Sequence, residues 1–111
     1  MHNLTPAQSS LLRAVQLLFA AAEQTSETRN DLAGELMLGA VRSLVWQAMV
    51  LIPEGLPLVG ERSRTPDPVA TLEEAEQELR THPIWEYPAG TSELIVAVCD
   101  TIATTRAGGW L

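Results

Sequence analysis

Apolar residues recur at helical spacing along most of the chain, broken by three polar or proline-rich stretches. Thr5-Pro6-Ala7-Gln8 has the form of a helix start: a Thr cap, Pro at the first helical position and Gln three residues after the cap. Beyond it Leu11, Val15, Leu18, Phe19 and Ala22 fall within one arc at about 100° per residue, with Arg13, Gln16, Glu23 and Gln24 outside it. The spacing predicts a one-faced helix over residues 6–25.

Residues 25–30 are polar and short, a link that favours an antiparallel hairpin with the next helix. That second helix, over 31–52, carries the run Leu36 to Ile52, interrupted only by Gly39, Arg42, Ser43 and Gln47. Leu38, Val41, Leu44 and Val45 mark its core side, while Leu36, Ala40 and Val50 extend the apolar surface past half the circumference. Gly34 and Gly39 each cost roughly 1 kcal/mol against Ala in a helix interior, and close approach of another backbone is the expected reason. A lone small domain rarely needs so greasy a helix. The pattern predicts a central helix buried on two faces, in part by a second copy of the chain. Pro53 ends it.

Residues 53–70 hold Pro53, Gly55, Pro57, Gly60, Pro66 and Pro68 without helical periodicity, and Arg62 and Arg64 form the local basic pair. Thr71-Leu72-Glu73-Glu74 reads as a capping box for a helix over 71–82, with a thin stripe of Leu72, Ala75 and Leu79 and solvated acids elsewhere. Residues 83–90 form a loop bearing Trp85 and Tyr87. Thr91 or Ser92 caps a last helix over 92–106, with Leu94, Ile95, Val98, Cys99, Ile102 and Ala103 on one face. Its β-branched segment 94–99 also fits a buried strand, but the continuation through Ile102 and Ala103 favours helix. The tail from Gly108 is free unless Trp110 docks. The fold class is therefore all-α: one domain over 1–111, a bundle of four helices around a central antiparallel hairpin.

Composition narrows the function classes. A formal charge of −7 argues against nucleic acid and anionic membrane surfaces as partners. There is no lysine, so a Schiff-base, pyridoxal-phosphate or P-loop lysine is excluded. Arginine-only basicity and abundant Ala suggest a GC-rich bacterial genome. With Cys99 alone there is no intramolecular disulfide and no need of an oxidising compartment, consistent with the cytoplasm. The segment from Leu11 to Ala22 lacks a preceding basic residue and is interrupted by Arg13 and Gln16, so it reads as amphipathic helix rather than signal peptide. The run 36–52 carries Arg42 and falls short of the roughly 20 residues of a membrane span.

Catalytic patterns fail on inspection. A di-iron bundle needs Glu-x-x-His on two helices, but Leu79 stands three residues before His82. All-α nucleotide pyrophosphohydrolases of the MazG type need Glu-x-x-Glu and then Glu-x-x-Asp. Glu73 and Glu76 imitate the first pair, but Glu93 is followed at that spacing by Val96. Cys99 reads as a small buried hydrophobe, and His82 as a partner of its helix's C-terminal dipole. No catalytic, metal or cofactor residue is assigned.

Two constellations remain. Arg42 lies one turn before Trp46, where guanidinium can stack on indole, and it needs a carboxylate such as Glu35. This stripe is an ion pair at the solvent seam, a dimer anchor or a ligand site. Trp85 and Tyr87 are either interaction anchors or rings that fasten their loop to the core. The expected function is a small non-enzymatic protein-interaction or regulatory module acting as a homodimer. The alternative is an apolar-ligand-binding bundle or an enzyme's accessory subunit, with a cavity lined by Leu38, Trp46, Met49 and Trp85.

Overall fold

Four helices carry the chain in this computed structural model, which describes residues 4–53 and 66–110: α1 (Pro6–Thr28), α2 (Leu32–Met49), α3 (Pro68–Leu79) and α4 (Thr91–Arg106). A 3-10 turn, Ile84–Glu86, precedes α4, and no strand occurs among the described residues. The Arg62–Arg64 pair and His2 lie outside them. The ambiguous segment 94–99 is helix.

Each helix start has a local cause, though two differ from expectation. The box at α1 forms as predicted: Gln8 N–H donates to Thr5 Oγ1 at 3.1 Å, and Thr5 N–H donates to Gln8 Oε1 at 2.9 Å. α1 then runs three residues past Thr25, and within this last turn Thr25 and Thr28 donate their hydroxyls back to the carbonyls of Ala21 and Gln24. Asp31 caps α2 through Gly34 N–H at 2.8 Å. α2 ends at Met49 rather than 52; Leu51 and Ile52 donate to Ala48 and Met49 in tightened i→i−3 turns. α3 begins at Pro68, not Thr71, with Asp67 as its cap, and stops at Leu79. α4 is capped by Gly90 at φ 102°, not by Thr91 or Ser92; Thr91 donates instead to the Pro88 carbonyl at 2.8 Å.

The directions of the helices follow from their cross-links. Gln24 meets Thr71, Arg13 meets Glu78 and Ser10 meets Thr81, so α3 runs antiparallel to α1. Glu76 meets Cys99 and Glu73 meets Arg106, so α4 runs antiparallel to α3. A Cβ on Gly90 would stand 3.0 Å from Leu51, which places the end of α2 at the start of α4. α1 contacts α2 and α3, and α4 contacts the same two, giving a four-cornered bundle with α2 and α3 on a diagonal. Those two point the same way, and the link between them is the longest in the chain by sequence.

The core runs along α1 as well as α2. Leu11, Ala14, Val15, Leu18 and Ala21 of α1 are fully buried, with Met37, Val41 and Ala48 from α2, Leu72 and Ala75 from α3, and Leu94 and Val98 from α4. The helix buried on two faces is therefore α1. Small Ala14 and Ala21 admit neighbours on both sides, while Phe19, expected in the core, stands at the surface. The extra apolar face of α2, including Leu36 and Val50, is open.

Candidate docking face and cleft

The outward side of α2 places Leu32, Leu36, Trp46 and Val50 in the open, Trp46 at 69% and Val50 at 78% of full exposure. Glu35 and Arg42 lie beside them, also exposed, and make no ion pair among the described residues. The expected Glu35–Arg42 pair is thus not formed within the described chain. Gly34 and Gly39 separate clearly. A Cβ on Gly34 would meet the Arg29 carbonyl oxygen at 2.9 Å, so that glycine lets the hairpin link fold against α2. A Cβ on Gly39 would meet nothing within 4 Å. Among the described residues no neighbouring element approaches it.

Between α1 and α2 lies a cleft of about 530 Å³. Phe19, Val45, Trp46 and Met49 form its apolar walls, and Glu23, Glu27 and Arg42 edge it. Arg42 and Trp46 therefore come together here, on the cleft's α2 side. Leu38 and Trp85, expected in the same cavity, do not line it. Phe19 is the wall residue that sequence reasoning placed in the core instead.

The 83–90 segment divides its two aromatics. Tyr87 is buried, and its hydroxyl donates to the Glu78 carbonyl at 3.2 Å near the end of α3. Its ring meets His82 edge-on, with centroids 6.1 Å apart. His82 Nδ1 in turn lies 3.3 Å from Glu86 Oε2. Trp85 is 82% exposed. One aromatic fastens the loop; the other leaves it.

A third cluster was not anticipated. Cys99, only partly buried, donates its S–H to Glu76 Oε1 at 2.8 Å, and Arg80 Nη2 lies 3.6 Å from the sulfur. Burial pushes the thiol pKa above its ordinary value; the Glu76 carboxylate acts in the same direction and the Arg80 guanidinium opposes it. A thiol held protonated is a poor nucleophile. Glu73 and Glu78 are also paired, with Arg106 and Arg13, so three acids on α3 tie helices together rather than simply facing water.

Among the described residues no group of three or more His, Cys, Asp or Glu side chains can hold a metal ion, and no helix is long and apolar enough to cross a membrane. No protein-family model, curated protein or solved structure matches the chain.

Proposed function

We propose that the chain is a small protein-interaction or regulatory module that acts as a homodimer through the outward face of α2. The observation that carries this reading is the exposed row of Leu32, Leu36, Trp46 and Val50 on one helix, an apolar patch beyond what scattered surface residues produce. Arg42 and Trp46 are its anchors. Trp85 is a second contact point at the end of the bundle. A lone cysteine and arginine-only basicity support a cytoplasmic, bacterial setting, and the charge of −7 disfavours nucleic acid. Sedimentation across a range of concentrations tests the assembly: a dimer is expected, and a concentration-independent 12.0 kDa species overturns it.

The cleft favours a second reading, a small apolar ligand held between α1 and α2 by Phe19, Trp46 and Met49. A ligand bound only by the folded state raises the melting temperature with its concentration. Screening hydrophobic compounds for such a shift, and its loss in Met49→Glu, separates this reading from the first.

A further inference from the structure

The residues that α2 leaves outside include Leu32, Leu36, Gly39, Ser43, Trp46 and Val50, spaced alternately by four and three. That is the 3.5-residue seam of a two-helix contact, narrower than the stripe of a helix facing its own core. Sizes along it form a palindrome: two large residues, two small, two large. We infer that a second copy of α2 packs antiparallel on this seam about a two-fold axis beside Val41. Leu36 then meets the partner's Trp46, Leu32 the partner's Val50, and Gly39 the partner's Ser43. This rests on the homodimer reading above and adds its orientation and register.

Three observations select this occupant. Gly39 is disfavoured in a helix interior, and among the described residues nothing beyond its own helix backbone comes within 4 Å of the Cβ it lacks; a crossing helix supplies the reason for it. The four large side chains expose on the order of 500 Å² per copy, so two copies bury roughly 1,000 Å² before their flanks are counted, the threshold of a specific interface. Charge agrees as well. Two chains of charge −7 repel, but between Leu32 and Val50 the only charged residues are Glu35 and Arg42, which cancel. Antiparallel packing sets the two Arg42 side chains side by side at the axis with each Glu35 outside them on the same edge, so the seam is neutral as a whole and charge does not choose its direction. The helix dipoles do, since a parallel copy aligns them unfavourably.

The test uses the full chain with Cys99→Ser, bearing either Leu36→Cys or Trp46→Cys, treated with a short bismaleimide separately and as a mixture. Wild-type protein is sedimented in parallel. The mixture is expected to give several-fold more covalent dimer than either variant alone. Equal cross-linking of each variant alone indicates parallel packing and overturns the inference. A wild-type dimer without any cross-link places the interface elsewhere, which overturns the register but leaves the homodimer standing; a monomer overturns both. Gly39→Gln guards against interfaces weakened by the cysteines. Its side chain meets none of the described residues of other elements, so folding is expected to be retained and self-association to weaken at least tenfold. Unchanged association overturns the inference. So does a lowered melting temperature for Gly39→Gln in a monomeric protein, which shows the seam covered by its own chain, including residues 54–65.

Discussion

Trp85 and Tyr87 stand two positions apart, yet a single 3-10 turn sends one ring into solvent and the other under α3. The distinction lies in the hydroxyl, which has a carbonyl to reach, whereas the indole has none. Tyr87→Phe is therefore expected to lower unfolding free energy by about 1 kcal/mol, the net worth of one part-buried hydrogen bond, measured by urea titration. Trp85→Ala should move it by less than about 0.5 kcal/mol, as exposed sites do. Cys99 carries a pH dependence. Its folded thiol loses its proton at higher pH than an unfolded one, so its contribution is fully present below the unfolded thiol's pKa and disappears as pH rises through the folded value. Urea midpoints of wild type should fall more steeply above pH 9 than those of Cys99→Ala, the pH range being set by the ordinary thiol value of 9.0. Equal slopes would remove this account.

At the scale of elements, α3 shows where sequence reasoning reaches its limit. The sequence pattern predicts a start at Thr71-x-x-Glu74, but the helix begins earlier, at Pro68, with Asp67 as its cap. The Thr71 hydroxyl then serves inside the helix, where it donates to Gln24 Oε1 of α1 at 2.8 Å and back to the Asp67 carbonyl at 3.1 Å. Asp67→Ala should accordingly cost about 1 kcal/mol, read from the thermal unfolding transition, whatever happens at Glu74. The helices themselves were legible because their apolar periods are long, and the α1 box because its reciprocal bonds are purely local. The sides covered were not legible. A greasy surface on α2 and an alanine-rich one on α1 look like a buried and a half-buried helix, but Ala14 and Ala21 let two neighbours close on α1 while α2 remained open. The candidate site divided in the same way. Arg42 and Trp46 could be paired from spacing, whereas Phe19 joins them only once α1 is rotated into its place beside α2.

For the whole molecule, the diagonal placement of α2 and α3 leaves α1 in contact with both and buried over most of its length. In the dissociated chain, amide exchange should be slowest in the middle of α1, near Val15 to Ala21, and faster on the outward side of α2, in hydrogen-exchange mass spectrometry. Protection greatest in α4 would contradict this ordering. The tail is fastened too: Gly108 at φ 69° turns the chain out of α4 so that Gly109 N–H reaches the Thr104 carbonyl at 2.9 Å, and Trp110 Nε1 then donates to Thr105 at 3.0 Å. With Trp110 half-covered, Trp46 and Trp85 in solvent, and the interior lined by aliphatic side chains and Tyr87, no indole sits inside the bundle. A folded chain separated from its partner should then emit almost as an unfolded one does, with tryptophan fluorescence near the wavelength of indole in water. Loss of fold would be nearly invisible to that light, and a blue shift would report the arrival of something upon the surface.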